Sequence, residues 1–200
     1  MKRDVSFGEN GLSLVDRFGT WLSCRAIVSQ FRGKQNLEVL EIGCGYHANN
    51  LKKISLHAKG LTGLDLNISD EISSMPNFRR IEGRYEDNLS LLRDRKYDVI
   101  MIISVLEHLD NPVMVLKECR EMLAKEAILL VNVPTWLGKY FLELSAFKLG
   151  LSPRLEMDDH KMYYDKKDLW RALIQAGFLP SGISMKYHKF GLNLFASVKK

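Results

Sequence analysis

Residues 99–103 read VIMII, with Tyr97 before them and Ser104 after. A strand with one wet face alternates apolar and polar side chains. A run that is apolar at every position belongs to a central parallel strand covered on both faces. Parallel neighbours cannot be joined by tight turns and need crossover segments, usually helices. The rest of the chain supplies both parts. Leu37–Ile42, Leu61–Leu66, Phe78–Ile81 and Ala127–Val133 carry strand signatures. Helical spacing of apolar residues marks 11–32, 51–58 as far as Gly60, the segment capped by Asn111 with Pro112 in first place, and the segment from Asp165 to Gly177. Gly182–Phe190 and Leu192–Val198 read as two closing strands. This alternation predicts the α/β class: a doubly wound, mostly parallel sheet with a C-terminal antiparallel hairpin and helices on both faces.

At 200 residues the chain suits a single domain, 1–200, with an N-terminal helical extension over 1–36 and an insertion over 135–160. Cys24, Cys44 and Cys119 are scattered and without metal-ligand spacing, so neither a disulfide framework nor a cysteine metal site is expected. MKRDVSFGEN has no apolar core of the kind a signal peptide needs, and Val99–Leu106 is too short to span a membrane. The expectation is a cytoplasmic location. A net charge of +5 favours anionic ligands mildly, but interspersed acidic residues do not demand nucleic acid.

In doubly wound sheets, ligands bind outside the carboxyl ends of the strands. The first strand runs through Glu41 into Gly43-Cys44-Gly45, and glycines there allow a tight turn and a close ligand approach. Asp65 ends the second strand, 22 residues after Gly43, where a carboxylate can accept hydrogen bonds from both ribose hydroxyls of an adenosine. Two cofactors compete for this arrangement. Gly43-Cys44-Gly45-Tyr46-His47-Ala48 formally matches the dinucleotide fingerprint, which means NAD and an oxidoreductase. Against it, Glu41 would repel a pyrophosphate. The same carboxylate would welcome the amino and sulfonium groups of S-adenosyl-L-methionine. The closing hairpin points the same way.

The segments VLEIGCG, LTGLDLN, YDVIMIISVLEHLDNP, AILLVNVP and DHKMYYDKKDLWRALIQAGF occur in order from residue 37 to the end. Together they resemble the class I S-adenosylmethionine-dependent methyltransferases of the Rossmann-like, seven-stranded, small-molecule type. The resemblance implies that Glu41, Gly43 and Gly45, with Cys44 between them, form the methionine side of the cofactor site. It implies that Asp65 holds the ribose, that Leu66 packs near adenine, and that Ser104 faces the amino-acid part through its backbone. The adenine edge departs from the family pattern: Arg84 follows Gly83 where an acidic residue is common, and Glu86 or Asp87 is the substitute. His47 stands where many relatives have glycine, either as a solvated helix-start residue or reaching toward substrate. S-adenosyl-L-homocysteine would be the product.

The sulfonium methyl is already activated, so much of the work is placing the acceptor. An oxygen acceptor also needs its proton removed, and imidazole suits that near neutral pH. His108, after the fourth strand, and His160, before the last helix, are the candidate bases, with Asp158 or Asp159 orienting His160 and a carboxylate such as Glu107 or Asp159 as a fallback. His57 and His188 read as structural or exposed, and Cys44 as a small buried residue without a nucleophile's partners. No metal is expected. Trp136, Tyr140, Leu144 and Phe147 form one helical stripe within the insertion, read as a cap over the acceptor or as packing against a sheet edge or a homodimer partner. The expected acceptor is a small polar metabolite, an oxygen of a sugar or similar compound in a surface-polysaccharide type of pathway. RNA methylation, NAD-dependent oxidoreduction and non-catalytic S-adenosylmethionine binding are the alternatives.

Overall fold

The computed structural model describes residues 5–147 and 160–200. Its strands are β1 (Leu37–Ile42), β2 (Ala58–Asp65), β3 (Phe78–Glu82), β4 (Tyr97–Ile103), β5 (Leu123–Pro134), β6 (Ile183–His188) and β7 (Asn193–Lys199). They form one seven-stranded sheet in the order β3-β2-β1-β4-β5-β7-β6. The first five are parallel, and β7 runs antiparallel to both β5 and β6. The helices are α1 (Leu14–Ser29), α2 (Asn49–Ile54), α3 (Asp70–Ser73), α4 (Tyr85–Leu92), α5 (Pro112–Met122), α6 (Trp136–Phe147) and α7 (Lys166–Gln175).

The apolar run of β4 splits between two cores, as a covered strand requires. Ile100 and Ile102 pack with Leu40, Ile42 and Leu129 against Leu116 of α5 and Leu173 of α7. Val99 and Met101 pack with Val39 and Leu130 against Ile27 of α1 and Leu51 and Ile54 of α2. All of these are essentially inaccessible, and each such burial contributes about 1.5–3 kcal/mol. Local signals set the helix ends. Ser13 and Asp16 form a capping box on α1, Asp165 and Asp168 form one on α7, and Asn111 caps α5 ahead of Pro112.

Two local expectations change. Gly60 lies inside β2, beside the flexible Glu38 side chain, and does not stop a helix. The helical pattern of 51–58 resolves into α2 and a 3-10 turn over Ser55–His57, and the strand begins at Ala58. Helices α3 and α4 went unpredicted, being too short to build a clear period.

Candidate active site

The parallel pairings align the carboxyl ends of β1, β2, β4 and β5 along one edge, and the turns there carry the polar groups. Gly43 and Gly45 both have φ +74°. A Cβ on Gly43 would lie 2.1 Å from Val105 Cγ2, so that position needs both the left-handed backbone and the missing side chain. The turn is pinned to β2: Gly43 and Cys44 donate their N–H groups to the Leu64 carbonyl, at 2.7 and 3.1 Å. Gly45 N–H donates to Asp65 Oδ2 at 2.7 Å. The other Asp65 oxygen accepts from Leu66 N–H at 2.8 Å and from the Ser6 hydroxyl at 2.5 Å. Ser6 Oγ in turn accepts from Asn67 N–H at 2.7 Å, and Tyr46 N–H donates to the Phe7 carbonyl at 2.9 Å. Residues 6–8 thus form a strap over the glycine turn, with a hydroxyl on the carboxylate expected to bind ribose.

Glu41 is completely buried beneath this turn. Its Oε1 accepts from Asn50 Nδ2 at 2.6 Å, and its Oε2 has no partner. Burial pushes its carboxyl up to about 8; the Asn50 hydrogen bond opposes this and the Asp65 charge adds to it. Asn132, in the middle of an apolar strand, is also fully buried; its Nδ2 donates to Ser104 Oγ at 3.3 Å and its Oδ1 has no partner. Ser104 takes φ +56° and donates its N–H to the Asn132 carbonyl at 2.8 Å. Buried polar atoms without partners cost about 1–3 kcal/mol each, a cost that a group bound against Glu41 Oε2 or Asn132 Oδ1 would offset.

Beyond β4, a 3-10 turn (Leu106–His108) carries Glu107 and His108. The segment before α7 is zipped onto it. Lys161 N–H donates to the Glu107 carbonyl at 2.9 Å, Lys161 Nζ meets Asp110 at 2.5 Å, and the Tyr164 hydroxyl reaches the Leu106 carbonyl at 3.5 Å. The His108 and His160 rings lie 4.7 Å apart, and His160 Nδ1 is hydrogen-bonded to the Tyr163 hydroxyl at 3.0 Å. Glu107 is buried, its Oε2 is unpartnered, and burial raises its carboxyl to about 8. Lys189, in the β6–β7 turn, projects toward α1, where a Cβ on Gly19 would sit 3.7 Å from its Nζ. Burial lowers its ammonium to about 8, while the charge of Glu107 pulls the other way.

A mononucleotide-type parallel sheet alone fits either cofactor. The antiparallel β7 between β5 and β6, a buried carboxylate under the glycine turn and a sequence profile decide between them: the methyltransferase domain profile matches residues 16–179. The chain belongs to the methyltransferase domain family. It is a class I, S-adenosylmethionine-dependent methyltransferase. No curated protein matches the sequence. Solved structures share the fold at low identity. A putative methyltransferase from Haloferax volcanii, solved with the Trm112 methyltransferase activator, superposes with a TM-score of 0.72 at 10% identity, covering 90% of this chain and 89% of that one. An S-adenosylmethionine-dependent methyltransferase from Archaeoglobus fulgidus gives 0.64 at 17% identity over 96% of both chains. The plantazolicin methyltransferase BpumL, solved with a monoazolic desmethylPZN analog and S-adenosylhomocysteine, gives 0.68 at 18% identity, covering 92% and 84%.

Within this methyltransferase the expected residues fall into three groups. Glu41, Gly43, Cys44, Gly45, Asp65, Leu66 and Ser104 converge on the carboxyl edge around the glycine turn. Cys44 is buried and its thiol is held well above its usual range, first by burial, which suits packing and not nucleophilic chemistry. Glu86 and Asp87 lie exposed in the first turn of α4. The loop before them is set by Asn88, whose Nδ2 donates to the Arg84 carbonyl at 2.8 Å, while Glu82 Oε1 accepts from Ile68 N–H at 2.8 Å. His108 and His160 come together although 52 positions separate them. The part of the expected insertion from 148 to 159, with Asp158 and Asp159, lies outside the described residues. His47 is half-buried, 5.0 Å from the Tyr46 ring and against Gly8, so it supports the strap. His57 bonds the Lys34 carbonyl at 2.9 Å, in keeping with a structural role.

Sequence reasoning missed Ser6, Asn50, Asn132 and Lys189. Asn132 had a signal, being the lone polar residue in AILLVNVP. Lys189 had none, since its position depends on a turn in which Lys189, Phe190 and Gly191 all adopt positive φ.

Proposed function

We propose that the protein moves the sulfonium methyl of S-adenosylmethionine to an oxygen of a small polar acceptor, a sugar hydroxyl or a similar metabolite hydroxyl. The observation that carries this is the Glu107–His108–His160 cluster, with ligand atoms within 4.8 Å of one another at the carboxyl edge that also carries the glycine turn. In the cofactor pocket Glu41 faces the ammonium and sulfonium end, Asp65 the ribose, Ser104 the amino-acid part, and Glu86 or Asp87 the adenine edge. The acceptor hydroxyl lies over the cluster and gives up its proton there, either imidazole being placed to take it. The methyl carbon then bonds to oxygen as its bond to sulfur breaks, leaving neutral S-adenosylhomocysteine. Trp136, Leu137, Tyr140 and Phe141 expose apolar surface on α6, and Trp136 stands 5.6 Å from Tyr163. That helix fits a cap over the acceptor, and the same face fits a second copy of the chain. Among the described residues no helix is long and apolar enough to cross a membrane.

The test is a transfer assay with methyl-labelled S-adenosylmethionine against nucleotide sugars, glycans, hydroxy acids and RNA. Label in an ether on a sugar or hydroxy acid supports the proposal. Label in RNA alone overturns the acceptor class.

A further inference from the structure

We propose that Glu107, His108 and His160 bind one divalent transition-metal ion at the acceptor edge. The proposal deepens the oxygen-methylation reading and rests on it only for where the acceptor lies. Three features support it beyond proximity. First, the donors are two imidazoles and a carboxylate, a set that suits Zn²⁺, Co²⁺, Fe²⁺ or Mn²⁺ and not the all-oxygen preference of Mg²⁺ or Ca²⁺. Second, Glu107 is 2% exposed and its Oε2 has no partner, an arrangement that a protein interior tolerates poorly unless something binds there. Third, the two chain segments are fastened by Lys161 N–H to the Glu107 carbonyl and by Lys161 Nζ to Asp110, so the pairing of His108 with His160 is built into the fold. The Tyr163 hydroxyl on His160 Nδ1 orients that ring, as outer partners of ligating histidines do.

Ligands at tetrahedral bond lengths of about 2.0–2.1 Å stand roughly 3.4 Å apart. The present atoms lie within 4.8 Å, so rotations of the two imidazoles by about 1 Å at their tips would close the site. Three protein ligands leave positions open for a chelating acceptor with two neighbouring oxygens, such as a vicinal diol or a 2-hydroxy acid. The bound hydroxyl loses its proton to water more readily, the oxygen takes the methyl carbon, and the carbon–sulfur electron pair stays on sulfur. With the ion bound, His108 and His160 would activate the acceptor hydroxyl through the metal, in place of the direct proton transfer that either imidazole performs in its absence.

The experiment uses the chelator-stripped full chain, without cofactor, titrated with Co²⁺ by visible absorption and with Zn²⁺ and Mg²⁺ by calorimetry. The expected result is one equivalent of Co²⁺ and of Zn²⁺ at low micromolar affinity or tighter, with Mg²⁺ at least a hundredfold weaker. His160→Gln and Glu107→Gln should each weaken Zn²⁺ at least tenfold, and His57→Gln should leave it unchanged. S-adenosylhomocysteine binding by the same samples reports that each variant is folded. Absence of Co²⁺ and Zn²⁺ binding, equal affinity for Mg²⁺, or equal affinity in all three variants overturns the metal site, even if S-adenosylhomocysteine binds. Metal binding without S-adenosylhomocysteine binding would instead sink the methyltransferase reading and leave the metal site standing.

Discussion

Replacing Glu41 with glutamine should make cofactor affinity lose its pH dependence. In the empty protein burial holds this carboxyl at about 8, so at pH 7 about 0.9 of the molecules carry its proton. A cationic ammonium or sulfonium opposite Oε2 favours the ionised form, so binding at pH 7 should release nearly one proton. Ionising the group first costs about 1.4 kcal/mol at pH 7 and about 2.7 kcal/mol at pH 6. A hydrogen bond to a charged group contributes about 1.5–3 kcal/mol. The native chain should therefore hold little advantage over Glu41→Gln at pH 6. Its advantage should grow about tenfold per pH unit and level off above pH 8 at roughly 10- to 150-fold. Calorimetry in buffers of different ionisation enthalpy measures both the affinity ratio and the proton release. A ratio that stays constant from pH 6 to 9, with no proton released, refutes the assignment. The same shift bears on stability. The folded-state value lies above the unfolded 4.5, so the folded chain binds the extra proton and loses stability as pH rises from 4.5 through 8, by roughly 5 kcal/mol for this group. Glu41→Gln removes that loss, and its empty form should unfold at a higher temperature than the native protein at pH 8 but not at pH 4.5.

Asp65→Ala should weaken S-adenosylhomocysteine by about 2–3 kcal/mol, seen by calorimetry, with an unchanged circular dichroism spectrum; unchanged affinity sinks the ribose assignment. Ser6 occupies the Asp65 oxygen that a ribose hydroxyl needs, so Ser6→Ala should tighten S-adenosylhomocysteine by up to roughly 10- to 150-fold, the worth of one hydrogen bond to a charged group. Weaker binding would mean the strap supports the cofactor and does not compete with it. His108→Ala and His160→Ala should each slow turnover about a hundred- to ten-thousandfold on the identified acceptor, with cofactor affinity within twofold of native. Rates within a few-fold of native would leave proximity as the main source of catalysis.

The sequence alone determined most of the sheet and the glycine turn after β1, because both are written in contiguous residues. VIMII, β-rich and apolar at every position, reads as a doubly covered strand, and Gly43 and Gly45 after Glu41, with Asp65 one crossover later, place a carboxylate and a glycine turn at strand ends. The helices α3 and α4 escaped because four and eight residues hold too little period to stand out. The acceptor side was decided only in three dimensions. His108 and His160 looked like two independent histidines until the Lys161 N–H bond to the Glu107 carbonyl and the side chains of Lys161 and Tyr164 fastened the two segments, with the rings 4.7 Å apart. Glu107 stood in the sequence as a fallback base, but its burial came only from packing, since burial is a property of neighbours and not of residue type. Ser6 reaches Asp65 across 59 positions, and Lys189 reaches the seam by α1 through consecutive left-handed residues. Local pattern encodes elements and their turns, whereas contacts between distant segments depend on how those elements pack.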